Sequence, residues 1–300
     1  MNKELFIDKL MLFLSIFIIQ IILFYIIKML NFTDKPDERK IHKTPKLTMG
    51  GALFILPFLI FGGNTVLFRN IFVSCAFLLT FFAGMIDDIK RLSPKIKLFT
   101  QLLTGLFLFY GGVKISVFFG VDNYYLSLFL TVFYFTSFIN IINLIDGADG
   151  LATLICSIII TGIFFITLNT SFNSDIYLVL ILSLGGFLFF NIKNSLIFMG
   201  DLGSNFLGLI IGIMLIDAGF HSFSMNNIFS FILIIFVPFT DTFIAILRRL
   251  KNKKSVFAAD KNHIHHILLE KFSLNVTLII LCLLQGIMTV IGIILHGKNL

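Results

Sequence analysis

The sequence predicts an all-α integral membrane protein: one polytopic domain over residues 1–300 with about ten spanning helices, both termini outside, and its chemistry in cytoplasmic loops. Three observations carry this expectation. Apolar residues make up 58% of the 300 and charged residues only 13%, with a mean hydropathy of +1.01, a balance outside the range of soluble domains. Apolar runs near the ~20 residues needed to cross a bilayer as a helix recur about ten times. The loops between them alternate in basic charge, with Lys and Arg concentrated at every second loop as the positive-inside rule requires.

The expected spans are residues 10–30, 49–61, 68–86, 96–111, 124–142, 151–168, 176–190, 206–216, 228–247 and 274–295. The first resembles a signal peptide, but its apolar run is too long, Gln20 and Lys28 interrupt it and no small-residue cleavage site follows, so it reads as a retained helix. The second, fourth and eighth are short or contain Gly or Pro, which softens their limits. Pro238 and Asp241 fall inside the ninth. Cys75, Cys156 and Cys282 sit in separate apolar segments, a spacing that suits neither a disulfide framework nor a metal knuckle.

With ten spans, one face receives Lys35, Arg39, Lys40, Lys43, Lys46, Lys90, Arg91, Lys95, Lys97, Lys193, Arg248, Arg249, Lys251, Lys253, Lys254, Lys261 and Lys271, which is 17 of the 23 basic residues. Topology alone explains most of these. It does not explain the acids Asp87, Asp88, Asp146, Asp149 and Asp201, which lie at the ends of apolar segments on that same face. Mixed charge at one face suggests a phosphate site.

Asp87-Asp88 close the third span. Adjacent carboxylates repel, so both stay ionised only with cations or water nearby, and a solvated helix end is the bland alternative. The run from Asn140 to Gly150 places Asn140, Asn143, Asp146 and Asp149 at intervals of three, where side chains share a helix face. Such polarity between two spans is costly unless it meets water, metal or ligand. In the run from Phe198 to Asn205, Asp201 lies between glycines just before a helix, which suits a hard divalent cation or a helix cap. Asn191 and Lys193 add polarity to that face. In the last loop His263, His265 and His266 form a His-x-His-His run that lacks the paired distant ligands of a zinc site and can instead donate to a nucleotide diphosphate or a sugar.

Asp87-Asp88, Asn143 to Gly150, Asn191, Met199-Gly200-Asp201, Pro238 to Asp241 and His263 to His266 occur in this order, together with Asp34-Lys35-Pro36, Arg39 to His42 and Gly50-Gly51. That set, over about residues 30 to 270, resembles the polyprenyl-phosphate N-acetylhexosamine-1-phosphate transferase family, whose branches are the MraY and WecA types. The resemblance implies a Mg2+-dependent enzyme of the bacterial inner membrane, with Mn2+ as a substitute, that moves a sugar 1-phosphate from a UDP-N-acetylhexosamine to undecaprenyl phosphate and releases UMP. It implies Asp201 as the principal metal ligand with Asn143 beside it. Asp87 would orient or deprotonate the lipid phosphate with Asp88 in support, by direct attack or through an aspartyl phosphate. Asp146 and Asp149 would hold the nucleotide, Phe198 would stack on uracil, and Asn191, Lys40, Lys95, Lys97 and the three histidines would contact substrate. The His-Ile-His-His form is similar to the WecA and TagO branch, which favours UDP-GlcNAc over a UDP-MurNAc-pentapeptide donor. Membrane lipid is an implied partner, nucleic acid is not, and a homodimer stays open. The competing reading is a transporter, but carriers place charged and broken elements near the midplane and repeat their halves, whereas these acids crowd one face.

Overall fold

The computed structural model describes residues 3–34, 46–168, 175–192, 196–253 and 263–297. Each expected apolar segment is helical. Lys3–Leu30 is α1; Gly51–Phe58 (α2) runs through a π-helical turn, Leu59–Gly63, into Asn64–Leu67 (α3). Ile71–Lys90 (α4), Pro94–Tyr110 (α5), Tyr124–Ile145 (α6), Leu151–Thr167 (α7), Asp175–Asn191 (α8) and Gly200–Leu215 (α9) follow. Met225–Ile234 (α10), Phe236–Lys251 (α11), the short Ile264–Leu269 (α12) and Leu274–Gly297 (α13) complete the chain. Starts are set by local chemistry: Asn70 Oδ1 accepts from Val73 N–H at 3.0 Å to cap α4, and Asn123 Oδ1 takes the Tyr125 and Leu126 N–H groups to cap α6.

Among the described residues five helices are long and apolar enough to cross a membrane: Ile7–Leu30, Ile71–Lys90, Tyr124–Ile145, Gly200–Phe220 and Leu274–Gly297, the fourth including a π-helical extension of α9. Two expected segments need correction. The eighth is not residues 206–216 but begins at Gly200, because its polar first turn is part of the helix. The ninth is not one straight span: α10 and α11 meet at a 96° bend, just before Pro238, whose ring cannot continue the helical ladder.

α9 is the axis of the bundle, with 83% of its most apolar stretch buried against 17% for α1. Neighbours approach it closely because small residues line the contacts: a Cβ on Gly84 would lie 2.7 Å from Leu202 Cα, and one on Gly208 would lie 2.6 Å from Ile139 Cα. A two-stranded antiparallel ladder, Thr33–Asp34 (β1) with Lys46–Leu47 (β2), ties the chain after α1 to the segment before α9, because Phe198 N–H donates to the Leu47 carbonyl at 2.8 Å and Gly50 N–H to the Phe198 carbonyl at 2.9 Å. At the opposite end Val117–Phe118 (β3) pairs in parallel with Ser222–Phe223 (β4). At that end Arg69 also pairs with Asp217 at 2.8 Å.

Candidate active site

Four helices deliver one polar side chain or more each to the same end of the bundle. The last turn of α4 carries Asp87 and Asp88 and separates their tasks. Asp87 is buried; its Oδ1 accepts from Leu92 N–H at 2.5 Å, which turns the chain toward α5, and its Oδ2 pairs with Lys97 Nζ. Asp88 reaches α9 instead: Oδ1 accepts from Asp201 N–H at 2.8 Å and Oδ2 from Leu202 N–H at 3.4 Å. The cap of α9 is therefore Asp88, from another helix, and Asp201 is released from that task. Gly200 is required at this meeting, with φ of +74° and a notional Cβ 2.4 Å from Asp88 Oδ2.

Asp201 turns its carboxylate to the other side. Oδ2 accepts from Lys97 Nζ at 2.8 Å, and Oδ1 accepts from Asn143 Nδ2, which also donates to Ser204 Oγ at 2.8 Å. Lys97 thus bridges the Asp87 and Asp201 carboxylates. Below them a water-sized cleft of about 10 Å³ is lined by Asp87, Lys97, Thr100, Gln101 and Asn205.

Beyond the end of α6, burial together with the Asp201 and Asp149 carboxylates pushes Asp146 up to about 7. Next to it, His265 lies against Gly147, where a Cβ would fall 2.2 Å from Nε2. His265 is 1% exposed and among the described residues neither ring nitrogen has a hydrogen-bond partner, while burial and the adjacent His266 hold its pKa down at about 4. It is a neutral imidazole with a donor and an acceptor to offer. His263 is held from behind, since Asp241 of α11 meets its Nδ1 at 2.8 Å and accepts from Ile264 N–H at 2.6 Å.

The remaining expected residues fall as follows. Asn191 is committed to backbone and hydroxyl: its Oδ1 accepts from Gly150 N–H at 3.0 Å and Thr153 Oγ1 at 3.2 Å, and its Nδ2 donates to the Ile197 carbonyl at 3.1 Å. It braces the turn after Asp149 against the segment before α9. Phe198 is half-buried beside β2, Asp149 lies three residues beyond Asp146, and Lys95 is exposed in the first turn of α5. Lys40 and Lys193 lie outside the described residues. Sequence reasoning missed Ser204, which the i, i+3 spacing from Asp201 flags; Asp241 stands out as an acid inside a span, with a neighbouring Arg as the simple partner, but its actual partners are His263 and Ile264 N–H, which no local spacing reveals.

Among the described residues no three His, Cys, Asp or Glu side chains surround a common metal position. The donors present still fit a hard divalent cation: Asp201 supplies a carboxylate, and among the described residues Asn143 makes both its side-chain hydrogen bonds through Nδ2, leaving Oδ1 for a ligand. Mg2+ is commonly held by one or two protein oxygens with water and phosphate oxygens completing the shell. An apolar groove of about 260 Å³ runs from Phe118 and Phe223 at the β3–β4 end along α6 past Leu130, Phe133 and Ser137 to Ile141, with Phe231 and Phe239 as its other wall. Ile141 precedes Asn143 by two residues, which on a helix sets the groove and Asn143 on different faces of α6.

Residues 70–219 match the family described as Glycosyl transferase family 4. The chain is 33% identical to a probable undecaprenyl-phosphate N-acetylglucosaminyl 1-phosphate transferase of Bacillus subtilis, over 89% of this chain and 78% of the relative. It is 29% identical to an undecaprenyl-phosphate alpha-N-acetylglucosaminyl 1-phosphate transferase of Thermotoga maritima, over 89% and 82%. A phospho-N-acetylmuramoyl-pentapeptide-transferase of Streptococcus pneumoniae is 34% identical over 54% of this chain and 56% of its own.

Proposed function

The chain belongs to glycosyl transferase family 4, and on that premise we propose that it transfers N-acetylglucosamine 1-phosphate from UDP-GlcNAc to undecaprenyl phosphate, giving undecaprenyl-diphospho-GlcNAc and UMP. The observation that carries this reading is the Asp87, Lys97, Asp201 and Asn143 constellation at one end of a bundle whose helix α6 also lines an apolar groove. A water-borne diphosphate and a membrane-borne phosphate meet only at such a place. The acetylglucosaminyl relatives align over 89% of the chain and the muramoyl-pentapeptide one over 54%, which favours the smaller donor.

In the reaction an oxygen of the lipid phosphate forms a bond to the sugar-bearing phosphorus of the donor, and the bond from that phosphorus to the bridging oxygen breaks to release UMP. Asp201 and the Asn143 amide oxygen would hold Mg2+, which neutralises phosphate charge when bound. Lys97 exchanges its carboxylate partners for phosphate oxygens, lowering the repulsion between two anionic reactants. Asp87, buried and fixed by Leu92 N–H, orients the acceptor phosphate. Asp88 keeps the first turn of α9 in register with it. His265 offers its unused ring nitrogens to the donor, and the groove along α6 takes the isoprenoid chain.

Among the described residues the site end carries Lys28, Lys46, Lys90, Arg91, Lys95, Lys97, Arg248, Arg249, Lys251, Lys253 and Lys271, and the far end Lys3, Lys9, Arg69 and Lys114, an imbalance that by the positive-inside rule supports a cytoplasmic site. The shorter helices then complete a ten-pass topology with both termini outside. The test is UMP release by purified protein given undecaprenyl phosphate, Mg2+ and each of several UDP-N-acetylhexosamines. Release with UDP-GlcNAc that needs both lipid and metal supports the reading. Silence with UDP-GlcNAc alongside turnover of another donor overturns the choice of sugar, and silence with all overturns the reading.

A further inference from the structure

Pro238 has no N–H, so the carbonyl of Ile234, four residues earlier, lacks the partner that an unbroken helix would give it. The Val237 N–H, in the first turn of α11, has no intrahelical carbonyl either. Both lie within an apolar segment, where no water replaces a lost backbone bond. α13 supplies what is missing. Gln285, fully buried, donates from Nε2 to the Ile234 carbonyl at 2.7 Å and accepts at Oε1 from Val237 N–H at 2.9 Å. Its orientation is forced, since a carbonyl only accepts and an N–H only donates. The second Nε2 hydrogen goes to Thr289 Oγ1 at 2.8 Å, one turn along α13. One side chain thus bonds both sides of the break.

What hangs on that break is part of the site. α11 contributes Phe239 to the apolar groove and Asp241 to the clamp on His263 and Ile264, which sets the neighbouring His265 against Gly147. The three hydrogen bonds of the Gln285 amide go to none of these residues. We propose that Gln285 is a positioning residue for the transfer reaction: its amide fixes the bend between α10 and α11, and through it places the groove wall and the histidine segment against the Asp87, Lys97 and Asp201 centre. The inference deepens the transferase reading and rests on it.

Gln285→Met keeps the length of the side chain and removes both polar atoms. With the centre itself untouched, KM for the lipid and for the nucleotide sugar is expected to rise about five- to tenfold while kcat changes less than about twofold. A side chain that only stabilised the fold would lower the active fraction, so kcat per mole of protein would fall with both KM values unmoved; that result, or no change at all, overturns the proposal. If Gln285→Met does not yield folded protein, Thr289→Val keeps the branched shape and removes only the hydroxyl that orients the amide. It is expected to raise the same two constants about two- to threefold, and unchanged constants overturn the proposal equally.

A second measurement does not need turnover. Spin labels at the exposed positions Phe129 of α6 and Ile244 of α11, in a background with Cys75 and Cys282 replaced by Ala, read the bend as a distance. A narrow distribution that shifts or broadens in Gln285→Met supports the assignment, and identical distributions overturn it. A parent protein silent with every donor, whose bend nevertheless depends on Gln285, would sink the transferase reading without touching the bend.

Discussion

Asp87 and Asp88 are neighbours of identical chemistry that the helix sends to different work, one to Lys97 and the site, the other to the N–H groups that open α9. Asp201, freed from capping, faces the centre with its whole carboxylate. Asp201→Asn keeps the shape and removes the charge, so kcat is expected to fall about 10²-fold or more while the melting temperature stays near that of the parent. Activity within about twofold of the parent would take Asp201 out of the centre. His265 makes a prediction in pH. Its folded pKa of about 4 lies below the ordinary 6.5, so the unfolded chain takes up the proton first as pH falls. Stability is therefore constant above about pH 6.5 and drops between there and about pH 4, by at most about 3 kcal/mol. His265→Gln cannot titrate, and melts taken between about pH 7 and about pH 4.5 should show a shallower loss than the parent. Parallel curves would mean that His265 ionises as it does in water. At this scale the sequence named Asp87, Asn143, Asp201 and the three histidines, because polar atoms at the ends of apolar runs stand out; it left Asp201 open between metal ligand and helix cap, because a cap supplied by another helix has no local signature.

At the scale of elements, short polar contacts depend on how near two backbones come. Gly200 is the tightest case, with a positive φ and no room for a Cβ beside the Asp88 carboxylate, whereas a Cβ on Gly185 in α8 would meet nothing within 4 Å. Gly200→Ala is expected to displace the first turn of α9 and lower activity at least about tenfold, with Gly185→Ala within about twofold of the parent. Equal effects would show that the Gly200 turn tolerates displacement. The helices themselves were legible, since a lipid-soluble backbone must satisfy its own hydrogen bonds and long apolar runs have one way to do so. The break in the ninth segment was half legible: Pro238 announces it, but the partner that makes it tolerable, Gln285, is 51 residues from Ile234.

For the whole molecule, the charge distribution predicts sidedness. Cysteines in place of exposed Lys95 and of Arg69, in a background that lacks Cys75 and Cys282 and keeps only the fully buried Cys156, should react with a membrane-impermeant thiol reagent in opposite ways: Arg69→Cys in intact spheroplasts, Lys95→Cys only after the membrane is opened. Labelling of Lys95→Cys in intact spheroplasts would reverse the orientation. The sequence by itself determined the solvent of this chain, its helical class, the face on which its charges gather and the order of its motifs, because composition and hydrophobic length act locally along the chain. Which acid faces Lys97, which one caps α9, how sharply α11 turns and which side chain holds the turn were decided only by tertiary structure, because each depends on atoms from helices far apart in sequence coming within hydrogen-bond distance.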